Sequence, residues 1–265
     1  MMKIETELEV LLNEFRSFSN EFQECMRSIR NVIDGMKEID GMLSRGEIDK
    51  TTYATLKREY KLKIIPYVEM YFDLKDRVKE YRDKLNLILT KVRLDLRDLR
   101  REALLMDEKR TRFEIRRKQE RILNELMREL DTLENGLDMR TELDILEIYL
   151  TSIRDKNRSI PHERLAKYRQ HFNKLMNRWS NEKISLTERL EGLEERISEV
   201  NDSLRLNEIR FSLGEYDHST YNEKRIALES KLNEIQNEIR RIQSTIEEMD
   251  SRILRCSSLL EELGA

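Results

Sequence analysis

The chain has 265 residues, of which 39% are charged and 38% hydrophobic, with 7 Gly, 2 Pro and 6% aromatics. An ordinary globular domain is about a quarter charged and close to half apolar, and it punctuates its turns with Gly and Pro. This balance excludes most compact enzyme folds and predicts few turns and long helices, and because a periodic apolar pattern persists along most of the chain, the charge excess does not signal disorder.

Steps of four and three from Ile4 land on Leu8, Leu11, Phe15, Phe18, Phe22, Cys25, Ile29, Val32, Met36, Ile39 and Leu43. Such a run is an a/d seam, the spacing that keeps one stripe of a helix against a partner helix. It ends at "SRGEIDKTTY", residues 44–53. Gly46 can adopt the left-handed conformation that closes a helix, and Asp49 can cap the next one, so a reversal is predicted. Beyond it, Tyr53, Tyr60, Tyr67, Tyr71, Leu74, Val78, Tyr81, Leu85, Ile88 and Val92 can back the first arm, which defines an N-terminal hairpin over residues 1–92. Pro66 lacks an amide hydrogen and is expected to kink or split the second arm.

A central segment, residues 93–160, continues the apolar pattern with shifts through Leu96, Leu99, Ala103, Met106, Phe113, Leu123, Leu126, Leu130, Leu133 and Leu137. Gly136, Asp138 and Thr141 suggest a break, and at "DKNRSIPHERL" Ser159 can cap a helix starting near Pro161. Residues 161–265 form a C-terminal hairpin. Phe172, Met176, Trp179, Leu186, Leu190, Leu193, Ile197, Val200, Leu204 and Phe211 lie before its turn, with Lys183 and Asn207 interrupting. After it come Leu228, Leu232, Ile235, Ile239, Ile242, Ile246, Met249, Ile253, Cys256, Leu260 and Leu263. The turn, "SLGEYDHSTY" at 212–221, shares six of ten positions with the first, so that Gly214, Asp217 and Tyr221 match Gly46, Asp49 and Tyr53. An internal repeat of a hairpin and convergence on good capping chemistry both account for this.

The fold class is therefore all-α, an antiparallel coiled coil with two hairpins joined by long central helices. Two arrangements fit. In the favoured one the hairpins end an elongated rod, and the central apolar stripe needs a second copy of the chain, most simply in an antiparallel dimer. In the other the chain folds at Gly136 and Pro161 into a multi-helix bundle.

No stretch approaches the roughly 18–20 apolar residues of a membrane span, and "MMKIETELEV" lacks the basic-then-apolar order of a signal peptide. The protein reads as cytoplasmic. Cys25 and Cys256 fall on seam positions, as free buried thiols would. His162, His171 and His218 lack the spacing and neighbouring Cys of a zinc site, no glycine-rich phosphate loop is present, and neither enzyme chemistry nor a cofactor is expected.

The net charge of −3 divides unevenly: residues 1–50 carry 7 bases against 11 acids, and 182–265 carry 12 against 19, which leaves an excess of bases between them. In 91–121 seven acids are interleaved with the bases, as on a solvated, self-paired helix face. In 154–178 only Asp155 and Glu163 oppose Arg154, Lys156, Arg158, Arg164, Lys167, Arg169, Lys174 and Arg178. That segment is the candidate surface for nucleic acid or an acidic membrane, although its Tyr168, His171 and Phe172 stand at core spacing.

At its two turns the chain resembles the coiled-coil region of the archaeal cell-division protein CdvA. The matching residues are Gly46, Glu47, Ile48 and Tyr53, then Gly214, Glu215, Tyr216 and Tyr221. The resemblance implies a filament-forming, division-associated scaffold with affinity for membrane or DNA and for ESCRT-like partners. That family begins with a small β-barrel, whereas residues 1–50 here are already coiled coil.

Overall fold

The computed structural model describes residues 2–102, 107–155 and 161–264, with the side chains of 2–4, 101 and 102 left aside. The side chain of Ile4, and Ala103, Met106, Lys156, Arg158 and Ser159, therefore lie outside what it describes. Among the described residues the chain forms six helices: α1 (Met2–Ser44), α2 (Lys50–Glu102), α3 (Asp107–Glu134), α4 (Met139–Asp155), α5 (His162–Ser212) and α6 (His218–Glu262). They divide into two compact units, Met1–Arg158 and Ser159–Ala265.

In the first unit α1 and α2 form the expected antiparallel pair, tied by Lys57 to Asp40, Arg77 to Glu21 and Lys91 to Glu7. The centre of that seam is an aromatic cluster. Tyr81 of α2 stacks on Phe18 at 4.5 Å and meets Phe15 edge-on at 5.9 Å, while Tyr71 lies 5.6 Å from Phe22. Offset and edge-on geometries suit the ring quadrupoles and add to the apolar area removed from water.

The central segment departs from the favoured rod. It is not left without a partner: α3 runs antiparallel to α2, with Arg93 on Glu120 and Arg82 on Asp131, and α4 continues in the same direction, with Tyr71 and Lys75 on Glu142 and Tyr149 on Glu69. The result is a three-stranded bundle of α1, α2 and the α3–α4 tandem. The physical reason lies in α1, whose buried stripe is wider than a two-helix seam. Beside the a/d residues, Ser19, Met26 and Ile33 are also buried. Ser19 donates to Glu129 of α3, and Met26 lies where any side chain at position 136 would have to go.

Gly136 marks a break, as expected, but one without reversal. Asp138 caps α4, accepting from Thr141 N–H at 2.9 Å and from its hydroxyl at 2.8 Å. Pro66 does not split α2, which runs unbroken through it. Ile64 and Val68 on either side are fully buried, so packing holds the helix across the lost hydrogen bond, and Leu62, whose carbonyl a proline four residues on cannot serve, sits on an exposed side.

The second unit is one antiparallel hairpin of α5 and α6. Residue pairs from Arg169–Leu260 through Trp179–Asp250 and Arg189–Glu238 to Asn207–Tyr221 keep a single register along it. Between residues 186 and 246 its core is narrow: Leu193, Val200, Ile235 and Ile242 are buried, whereas Leu186, Leu190, Ile197, Leu204, Leu228, Leu232, Ile239 and Ile246 are only partly so. A two-stranded seam cannot enclose more.

Candidate functional site

The two turns are the same object in backbone terms. Gly46 has φ 73° and Gly214 has φ 75°. Glu47 N–H donates to Met42 O at 2.9 Å and Gly46 N–H to Leu43 O at 3.0 Å; Glu215 N–H donates to Arg210 O at 3.0 Å and Gly214 N–H to Phe211 O at 3.0 Å. These paired bonds make a Schellman closure in each hairpin. Asp49 and Asp217 then cap the following helices by accepting from Thr52 and Thr220 N–H at 2.6 and 2.7 Å, and these bonds hold both carboxyls below their usual range.

The surroundings of the turns differ. In the first, Arg45 bonds to Glu47 and Glu38, and Tyr53 donates its hydroxyl proton to Asp40. In the second, Tyr221 stacks on Phe211 at 4.4 Å, and Arg210 donates to the Tyr216 hydroxyl. Lys224 sits 3.8 Å over the Tyr216 ring, and Lys224 followed by Arg210 draws the phenol's pKa down. The positions matching Glu38, Gly41 and Arg45 are Leu206, Ile209 and Leu213, all exposed.

The basic candidates of 154–178 are spread over different environments. Arg154, in the first unit, pairs with Asp155 at 3.1 Å. Arg169 is drawn into the second hairpin, where it donates to Leu260 O at 3.1 Å. Arg164 and Lys167 also have partners, while Lys174 and Arg178 are exposed on α5. Tyr168, His171 and Phe172 are buried, so they pack and do not offer faces to bases. Lys156 and Arg158 lie outside the described residues.

Two buried ionic groups were not anticipated from the sequence. Arg116, 1% exposed, places Nε 2.6 Å from Asp95 and Nη1 2.7 Å from Gln119. Glu142, also 1% exposed, accepts from the Tyr71 hydroxyl at 2.7 Å and from Lys75 at 2.5 Å. Both bind α3 or α4 to α2 and face the bundle interior, which makes them determinants of packing. In the second unit the two seam interruptions are also explained. Lys183 pairs with Asp250 at 2.7 Å, and the buried Asn207 donates to Tyr221 O at 3.1 Å.

The concavities are open grooves. One, of about 760 Å³, lies between α1 and α2 and has Val10, Leu11, Leu87 and Ile88 between the Glu14–Lys84 and Glu7–Lys91 ion pairs. Another, of about 650 Å³, lies between α2 and α4 over Lys57, Arg58, Lys61, Thr151 and Ser152. Among the described residues no group of His, Cys, Asp or Glu could hold a metal ion, and no helix is long and apolar enough to cross a membrane. Compared with known protein families, curated proteins and solved structures, the chain has no match.

Proposed function

We propose that the chain is a non-catalytic coiled-coil scaffold that works by self-association and by holding other proteins along its helical faces. The observation that carries this reading is the C-terminal hairpin. α5 is about 75 Å long at 1.5 Å per residue, and between residues 186 and 246 it and α6 spend one narrow seam on their own folding. The remainder of that stretch is a solvent-facing surface rich in charge, with Leu206 and Ile226 exposed among the charges, which is a form suited to lateral contact with other helices and not to enclosing a substrate. The likeness of both turns to those of CdvA extends the proposal to division-associated or chromosome- and membrane-organising assemblies, and it rests on Gly46, Glu47, Ile48, Tyr53, Gly214, Glu215, Tyr216 and Tyr221 alone.

Sedimentation velocity of the full chain across a wide range of concentration and salt tests the reading. The expected result is a mass that rises above the 32.1 kDa of one chain, with a dimer as the first species. A single species of 32.1 kDa under every condition overturns it.

A further inference from the structure

Four arginines of α3, Arg110, Arg117, Arg121 and Arg128, are exposed, and at 100° per residue they fall within a band of about 40°. The band is opposite the buried face of Gln119, Leu123, Leu126 and Leu130, and it extends for about 27 Å. Other arginines at the α2–α3 boundary are consumed inside the bundle: Arg82 by Asp131 and Glu134, Arg93 by Glu120, and Arg112 and Arg116 by Asp95. Among the described residues of the first unit, no ion pair ties the four outward ones to a carboxylate.

On α5 the complementary arrangement appears. Glu188, Glu191, Glu195, Glu199 and Asp202 are all exposed and lie within a band of about 80° opposite the buried Leu193 and Val200. Their spacing matches that of the arginines. Glu188, Glu195 and Glu199 repeat the intervals of seven and four residues of Arg110, Arg117 and Arg121; Asp202, Glu195 and Glu191 repeat them in the reverse direction.

We infer that the arginine row of α3 is the docking surface for the acidic face of α5 in a second copy of the chain. This rests on the self-association proposed above and names the surfaces that carry it. Charge complementarity at matched helical intervals selects this occupant over others. The band holds no apolar side chain to enter a bilayer and no aromatic to stack on a base. Glu114 and Glu125 flank it, which would repel a phosphate backbone. Because the two surfaces differ, the contact is heterologous, and repetition builds a ring or a filament. Its pairs are solvent-exposed, so each is weak and screened, and the assembly must be sensitive to ionic strength.

The test is a charge swap in the full chain, read by sedimentation equilibrium at low salt, with circular dichroism confirming helicity. Arg117→Glu with Arg121→Glu, and separately Glu195→Lys with Glu199→Lys, should each weaken association by about tenfold or more. The chain carrying all four changes should recover it. The milder pair Arg110→Gln and Arg128→Gln serves if a reversal reduces helicity, and should weaken association in the same direction. Unchanged association in the reversals, no recovery in the swap, or an association indifferent to salt overturns the inference while leaving self-association standing. A parent chain that never associates overturns both. Binding of duplex DNA or of acidic phosphatidylserine vesicles that is lost in Arg117→Glu/Arg121→Glu while the mass is unchanged assigns the row to that other partner and overturns the inference as well.

Discussion

Asp250 offers a test of the second hairpin with a built-in reporter. The chain's only tryptophan, Trp179, is 3% exposed, and its indole N–H donates to Asp250 Oδ1 at 2.8 Å; the other carboxylate oxygen pairs with Lys183 at 2.7 Å. Asp250→Ala leaves a buried indole N–H without an acceptor, which costs about 1–3 kcal/mol. The Lys183 pair is about two-fifths exposed on both sides and adds at most about 1 kcal/mol. The expected loss is about 2 kcal/mol, which lowers the urea midpoint of the Trp179 fluorescence transition by about 1 M. Asp250→Asn keeps an acceptor for the indole and removes only the charge, so it should cost about 1 kcal/mol or less. The pH dependence has a defined sign. Burial pushes the Asp250 carboxyl up, but the hydrogen bonds from Lys183 and Trp179 and the Lys183 charge outweigh it and hold its pKa below the ordinary value. A depressed folded pKa means stability that is present above about pH 4 and lost as pH falls through the folded value, so Asp250→Asn and the parent should converge in acid. Equal losses for Asp250→Ala and Asp250→Asn, or a gap between Asp250→Asn and the parent that widens below pH 4, would refute this assignment of the energy.

Two further predictions concern single positions. Gly192, on the exposed side of α5, has nothing within reach of an added Cβ, and Gly192→Ala should raise the midpoint by up to about 1 kcal/mol of stability through helix propensity. At Gly35 the same Cβ would collide with the Tyr60 ring, so Gly35→Ala should show none of that gain in helical unfolding followed by circular dichroism. Cys25 is fully buried and donates to Tyr67 O, and burial, then Glu21, pushes its thiol up to about 12. It should resist aromatic disulfide reagents at pH 8 in the folded chain and react at the rate of an ordinary thiol in urea; rapid modification without denaturant would contradict that burial.

The turns and seams were legible because their chemistry is local. Gly46 with Asp49, and Gly214 with Asp217, are each a few residues that close one helix and cap the next, whatever packs nearby. The third strand of the first unit was harder to read, since an a/d list alone does not say how many helices meet at the seam. Its width says so. One position past every second seam residue, α1 carries Leu12, Ser19, Met26 and Ile33, where α6 carries Glu229, Gln236, Gln243 and Asp250. Small or apolar residues there let a third helix approach, whereas acids and amides keep that flank in water. The same pair of turns therefore ends a three-stranded bundle in one unit and a bare two-stranded coil in the other.

The buried ionic groups were hidden by a gap in the apolar list rather than by any irregularity of spacing. Stepping back from Leu123 by four and three reaches Gln119 and Arg116, so polar residues occupy regular seam positions of α3. Both groups bear on the register of the α3–α4 tandem against α2. Arg116 on Asp95 and Glu142 on Lys75 set it at two separate points. A slip of one heptad toward the N-terminal end of α2 brings Arg116 opposite Ile88 and Glu142 opposite Val68, both buried and apolar. Each unpaired buried charge costs about 3–5 kcal/mol, so the slipped bundle is disfavoured by several times the strength of any exposed pair that holds the native one. In this bundle the leucines supply cohesion, and the two buried charges set the alignment against that slip.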